Sequence, residues 1–366
     1  MVGAVRSIHI ADVGDGICIG VRTLVGESVQ IDCGSQQGGE LAFEGLKRTL
    51  YGAGGRTVFI LSHFHIDHYN GLLYASLSSD HWRKGLPTIR EVYYPRIPDF
   101  KQRTEFLLCL LTMNSRIFGS ETGVMECDFL NAISRINQGQ SFDYRPVSQG
   151  DVIDVGNGVL DVLWPPLTMN DERVLAAVRR ALKDFERAME EDETTRRLYK
   201  RVARAGVFEE YFERHHRREK PITDIKEYVG QGLESRAKLP DTVRIANRSL
   251  RNAANHMGLA LFEDSRFLFL GDVGGFEIKE IVNHLRSRKK RSFYVIISPH
   301  HGTRWDESLR QIHCFYSISS VGGKLVSKLD RRIGEISERS LATWVNGDIV
   351  LAMFPGGRIG SKFLWW

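Results

Sequence analysis

A chain of 366 residues with 42% hydrophobic, 10% aromatic and 26% charged positions has globular composition and enough apolar residues for a sizeable core, which excludes a disordered or collagen-like chain. Its longest apolar run, residues 106–111, falls far short of the roughly 20 residues of a membrane-spanning helix, and the start MVGAVRSIHI lacks the order of a secretory signal, so the expected address is cytoplasmic. Five cysteines without a CxxC pair read as thiols in a reducing compartment, and fifty basic against forty-five acidic residues, net +5, permit an anionic partner without demanding one.

The first predicted elements are strands at 7–13, 17–25 and 28–34, a β-meander with Gly14, Asp15 and Gly16 at its first turn. Phe43, Leu46 and Leu50, at i, i+3 and i+7, predict a helix, and a short apolar β run at 57–61 then leads into a histidine cluster. Residues 106–111 predict a helix used in core packing. Strand patterns at 151–154 and 159–164 are closed by Pro165 and Pro166. From 171 to 240 the chain is charged and helical, with 17 Lys and Arg against 15 Asp and Glu. Alternating signs of this density predict a solvated helical insertion, placed at 170–245, or a dimerisation arm, and His215, His216, Arg217 and Arg218 read as part of its exposed face. Strands return at 258–263 and 266–270, followed by a helix at 276–288 and a buried-type strand at 294–298. Without internal repeats or low-complexity tracts, residues 1–366 read as one domain carrying that insertion.

The strongest chemical signal is Ser62-His63-Phe64-His65-Ile66-Asp67-His68, an HxHxDH pattern at the end of a β run. Three imidazoles and a carboxylate this close can converge on two adjacent divalent ions, His63 and His65 toward one and Asp67 and His68 toward the other. Further along, the apolar residues 267–270 end in Gly271-Asp272, and residues 295–297 lead to Ser298-Pro299-His300-His301-Gly302. Either motif alone would pass for a turn. Together, three apolar strands end in metal-capable side chains, and such strand ends gather at one edge of a sheet.

His63-x-His65-x-Asp67-His68, Gly271-Asp272 and His300-His301-Gly302, in that order, resemble the metallo-β-lactamase superfamily. Asp12-Val13-Gly14-Asp15-Gly16, Ile31-Asp32-Cys33-Gly34 and Leu163-Trp164-Pro165-Pro166 narrow the resemblance to the soluble hydrolase domain of ComEC-type proteins, over residues 5–166 and about 245–352. The resemblance implies an α/β fold, an αββα sandwich with two divalent metal ions, Zn²⁺ or Mn²⁺, at one edge. It also implies a positioning role for Asp32, a bridging role for Asp272 and a second-metal role for one of His300 and His301. His300, directly at the strand end, is the preferred ligand, with His301 as proton donor or phosphate contact. The superfamily's third first-site histidine would fall in the stretch Asn252-Ala253-Ala254-Asn255-His256-Met257-Gly258, where His256 is a candidate ligand or a support, and Asn255 matches the first position of an Asn-x-x-Ser step whose serine is replaced by Gly258.

Two such ions activate water and stabilise an in-line phosphoryl transition state, so hydrolysis is the natural chemistry, with Asp67, Asp272 and His301 as the catalytic set. The chain carries no GxSxG elbow, Walker motif or strand-linked GxGxxG. The leading expectation is a metal-dependent phosphodiesterase or nuclease acting on DNA or RNA, with cyclic nucleotides close behind. Asn255, Arg288, Lys289 and Lys290 are its candidate substrate contacts, although the basic run equally fits a helix carboxyl end favoured by the macrodipole. A small-ester or lactone hydrolase on the same fold would need an apolar pocket, and a non-catalytic scaffold would use the metals structurally and recruit a protein partner or second copy through the insertion.

Overall fold

The structure, a computed structural model, describes residues 5–77, 85–118, 129–156, 158–205, 239–264, 266–353 and 359–363. Cys127 and the 215–218 basic stretch lie outside these residues.

The chain is a mixed α/β protein with two mixed sheets. In chain order the strands are β1 (Val5–Ile10), β2 (Gly16–Thr23), β3 (Ser28–Ser35), β4 (Thr57–Ile60), β5 (Ile89–Pro95), β6 (Asp143–Val147), β7 (Val152–Asp154), β8 (Val159–Trp164), β9 (Ala260–Glu263), β10 (Phe267–Phe269), β11 (Ser292–Ile297), β12 (His313–Ser319), β13 (Ser337–Ala342), β14 (Ile349–Met353) and β15 (Ile359–Phe363). The helices are α1 (Gly39–Leu50), α2 (Asn70–Leu77), α3 (Arg103–Phe118), α4 (Phe129–Ile136), α5 (Glu172–Glu191), α6 (Glu193–Ala205), α7 (Asp241–Asn255), α8 (Gly275–Ser287) and α9 (Thr343–Asn346).

One sheet has the order β15-β14-β1-β2-β3-β4-β5-β6 and the other β13-β12-β11-β10-β9-β8-β7. Each joins an antiparallel section, β1 to β3 or β7 to β10, to a parallel one, β3 to β6 or β10 to β13. Period-two alternation divides the side chains between two buried clusters. Val58 and Ile60 of β4, Phe267 and Phe269 of β10, and Val295 and Ile297 of β11 join a cluster drawn from both sheets, so these faces pack on each other. Phe59, Leu268 and Ile296, pointing the other way, pack among helical residues such as Phe43, Leu110, Phe185 and Leu285. Because both faces are covered, β4 and β10 read as unbroken apolar runs.

The predicted meander, the helix through Phe43, Leu46 and Leu50, and the strands leading to each motif are all present. Within the charged segment, α5 is capped by Asp171, whose side chain accepts from the backbone N–H of Arg173 and Val174. Its apolar stripe, Val174, Val178, Leu182 and Phe185, is buried in the helix-side core rather than left to solvent. That stripe packs on α7, whose Val243, Ala246 and Leu250 are fully buried, and Ser249 Oγ donates to Asp184 at 2.5 Å. No helix among the described residues is long and apolar enough to cross a membrane, and the four described cysteines are buried free thiols.

Asp348, just before β14, ties the returning chain to the first sheet. It accepts from the Asp12 backbone N–H and from Arg48 Nε, each at 2.8 Å, and pairs with His9 Nε2 at 2.8 Å. Burial pushes its carboxyl up, but His9 and Arg48 outweigh burial and hold it well below the usual carboxylate range. Asp348→Ala should therefore cost about 3 kcal/mol at pH 7, since it strands a partly buried guanidinium. A depressed folded pKa stabilises above the unfolded value of 3.8 and loses that contribution as pH falls toward the folded one. In urea unfolding, the gap between wild type and variant should narrow steadily below pH 4, and a gap independent of pH would show that the charge of Asp348 is not its source.

Candidate metal centre

The first group of ligand-capable residues leaves the carboxyl end of β4, where α/β sheets place their sites. Past Ile60 the chain is pinned by Asp32 of β3, whose Oδ1 accepts the Ser62 backbone N–H at 2.7 Å and whose Oδ2 accepts the Ser62 hydroxyl. Asp32 Oδ2 also lies 2.9 Å from His68 Nδ1, which orients that ring so that its Nε2 faces Asp272 Oδ2 at 3.4 Å. Residues 66–68 form one 3₁₀ turn pressed against β3. At Gly34 an added Cβ would lie 1.9 Å from the Asp67 carbonyl oxygen, so only glycine permits this approach. From the other side, Asn114 of α3 donates to the Phe64 carbonyl at 2.9 Å. Thus held, His63, His65, Asp67 and His68 are 1, 2, 4 and 1% exposed.

The second group comes from the other sheet. β10 delivers Asp272 through Gly271, which has φ +57 and packs so closely on the Leu259 carbonyl that a Cβ would come within 2.4 Å of its oxygen. β11 delivers His300 and His301, consecutive left-handed residues with φ 48 and 62, an uncommon conformation kept because it turns both rings onto Asp272. His300 Nε2 lies 3.7 Å from Asp272 Oδ2, and His301 Nε2 lies 3.6 Å from Oδ1. Each ring has its Nδ1 engaged elsewhere, His301 on the Ser320 carbonyl and His300 on Thr303 Oγ1, both at 2.9 Å. Thr303 spends its own proton on the His300 carbonyl, so its oxygen accepts from Nδ1 and the Nε2 lone pairs of both histidines point inward. The Ser320 loop is itself fastened by Asp15 of the opening motif, which accepts backbone N–H groups from Gly322 and Leu325 at 2.9 and 3.0 Å.

Ligand atoms of His65, His68 and Asp272 lie within 4.8 Å of one another, a cluster that can hold a metal ion. The rings of His63 and His65 are centred 3.7 Å apart. Both nitrogens of His63, both of His65, Asp67 Oδ1 and Asp272 Oδ1 are buried without a hydrogen-bond partner. Each such group costs about 1–3 kcal/mol if nothing satisfies it, and a divalent cation suits a donor set of imidazole nitrogens and carboxylate oxygens. Charge states agree. Burial, reinforced by His68, lowers His63 to about 3, and burial with His63 pushes His65 well down, leaving both neutral with lone pairs to offer. Burial raises Asp67, but Arg251 and His68 overcome it and hold the carboxyl at about 2. Against the same burial penalty, His301, His300 and His68 keep Asp272 ionised, while Asp272 and Asp32 raise His68 well above its ordinary value.

Some expected residues lie elsewhere. His256 is held by its neighbours: its Nδ1 meets Glu277 Oε1 at 2.5 Å and its carbonyl accepts from Trp164 Nε1, so it caps α7 and braces α8, and Nδ1 is engaged there. Arg288, Lys289 and Lys290 precede β11, whereas the cluster follows it, so a six-residue strand, roughly 20 Å, separates them. Arg288 instead pairs with Asp161 and covers the Phe262 ring, and Lys290 pairs with Asp264. Asn255 does reach the site, its Nδ2 lying 3.4 Å from His300 Nε2. Sequence reasoning missed Arg251, whose Nη2 donates to Asp67 Oδ2 at 2.8 Å. It stands on α7 in the series Arg244, Arg248, Arg251, Asn255, a helical spacing in the sequence that would have pointed to one basic face. These residues, with His65, His300, Asn247, Asn252, Ile117 and Leu239, line a cavity of about 450 Å³ over the cluster.

No protein-family model and no curated protein matches the sequence. Among solved structures, the chain is similar to a β-lactamase domain protein from Burkholderia ambifaria, at 15% identity over 40% of this chain and 40% of that one, with a TM-score of 0.23. A protein of unknown function from Enterococcus faecalis V583 aligns over 93% of this chain and 77% of its own, at 11% identity and a TM-score of 0.24. At scores this low neither likeness bears on the chemistry, which rests on the chain's own residues.

Proposed function

We propose that this protein is a metal-dependent hydrolase of phosphodiesters, a nuclease or phosphodiesterase, built on the αββα sandwich of the metallo-β-lactamase superfamily and resembling its ComEC-type branch. The observation that carries this reading is the set of partnerless, buried imidazole nitrogens and carboxylate oxygens beside a cavity that His65 and His300 line together with arginines and asparagines. His63, His65, Asp67, His68, Asp272 and one of the His300 and His301 pair would hold two divalent ions, Zn²⁺ or Mn²⁺. Such ions, when bound, supply an activated water and offset the negative charge that builds on a phosphoryl group in line with its leaving oxygen.

The chain's own groups do the rest. Asp32 fixes the ring of His68. Geometry favours dividing the histidine pair opposite to the sequence expectation: His301 is 5% exposed, with its tautomer set by Ser320, and suits a ligand. His300 borders the cavity, and burial lowers it to about 4, so at neutral pH it is an uncharged acceptor at substrate level. Asn255 orients it, and Arg251 sits where it can neutralise a phosphate oxygen. Three arginines and three asparagines in this lining suit an anionic substrate better than a neutral lactone or simple ester.

The test is hydrolysis of bis(p-nitrophenyl) phosphate, labelled DNA and RNA, and cyclic dinucleotides, in Mn²⁺ or Zn²⁺ and with chelator. Cleavage of at least one phosphodiester that chelator abolishes is expected. Bound metal without cleavage of any phosphodiester would overturn the reading.

A further inference from the structure

One feature of the cavity is more specific than a general preference for anions. On α7, Arg244, Arg248, Arg251 and Asn255 stand at i, i+4, i+7 and i+11, which keeps them within one narrow helical stripe. The opposite face, Val243, Ala246, Leu250 and Ala253, is fully buried, so the helix cannot rotate the stripe away. From Arg244 to Arg251 the axis advances about 10 Å, and the stripe ends at Asn255 against His300. Arg248 has no ion-pair partner among the described residues, and Arg244 has only Asp241, on the exposed surface, a pair worth little in water. The described lining of the cavity contains no carboxylate, and Asp67, buried beside it, already pairs with Arg251.

Resting on the hydrolase reading, we infer that Arg244, Arg248 and Arg251 form a phosphate track that leads a linear, single-stranded polyphosphodiester down to the metal cluster. A substrate with one or two phosphates engages Arg251 and leaves the outer two arginines idle. Only a chain of phosphates rewards three cations set along one line. The ligands lie at 1–5% exposure beneath a cavity of about 450 Å³, a small-ligand scale at which one strand fits and a stacked duplex does not.

The experiment compares wild type with the double variant Arg244→Ala/Arg248→Ala, both positions being exposed and away from the core. It reads kcat/KM on a single-stranded 12-mer against bis(p-nitrophenyl) phosphate, and, independently of cleavage, the salt dependence of 12-mer binding by fluorescence anisotropy. The ratio of the two kcat/KM values should fall at least about tenfold in the variant. The slope of log K against log salt should lose about 1.4, for two phosphate contacts on a single strand. A blunt duplex of the same sequence should bind more weakly than the single strand. An unchanged ratio and slope in an enzyme that still cleaves the small diester would overturn the track and leave the hydrolase reading standing. Loss of slope in a protein that cleaves neither substrate would uphold the track and overturn the hydrolase.

Discussion

Asp272→Asn is expected to lower phosphodiester kcat/KM on the order of 10³-fold or more while the protein stays folded. Asp272 is 5% exposed, with His68, His300 and His301 each within 3.7 Å of its carboxylate, and its Oδ1 has no hydrogen-bond partner. Asparagine preserves the shape but removes the one charge shared by all three rings and with it the anionic oxygens a divalent cation would bind. Bound metal, measured by elemental analysis after dialysis, should fall in parallel with activity, while circular dichroism remains that of wild type. A variant that keeps both metal and turnover would place the centre elsewhere in the molecule.

The second large effect is one whose sign depends on metal. In metal-free protein both ring nitrogens of His63 are buried and unsatisfied, so His63→Leu removes a penalty of about 1–3 kcal/mol at small cost in packing. The variant should match or exceed wild type in urea unfolding with chelator present. With Zn²⁺ at a hundred times its dissociation constant, wild type should gain about 2.7 kcal/mol, and the variant should gain much less, reversing the order. Equal destabilisation of the variant with and without metal would reduce His63 to a packing residue.

The sequence disclosed those parts of the site that are local. The HxHxDH run, Gly271-Asp272 and His300-His301 each follow an apolar strand buried on both faces, a pattern that needs no partner to be recognised. What escaped depends on contacts distant in the chain. Arg251 and Asp67 are 184 positions apart, and nothing near either announces the other. His256 sits one residue from Asn255, and at the end of α7 its Nδ1 meets Glu277, a partner 21 positions further along the chain. Arg288, Lys289 and Lys290 offered a cluster of positive charge, but they lie at the wrong end of β11. β6 was hidden by Pro146, which is tolerated because β6 is the edge of its sheet. The charged segment looked like a solvated arm because its acids and bases outnumber its apolar residues, whereas Val174, Val178, Leu182 and Phe185 on α5 fall on one stripe and support α7 from behind.

The division of the centre between two sheets governs when it can come into existence. A ribosome releases His63, His65, Asp67 and His68 with strands β1 to β4 of the first sheet, about two hundred residues before Asp272 and His301 are made. During that interval a nascent chain displays half of a binding site whose imidazoles lack Asp272 and the second sheet that delivers it. High-affinity capture of an ion therefore waits for the second sheet to dock, and His301 for the Ser320 loop that Asp15 holds in place. Assembly order by itself thus keeps an immature chain from completing the metal cluster, with the last ligand-capable residue to be translated serving as the seal on a finished molecule.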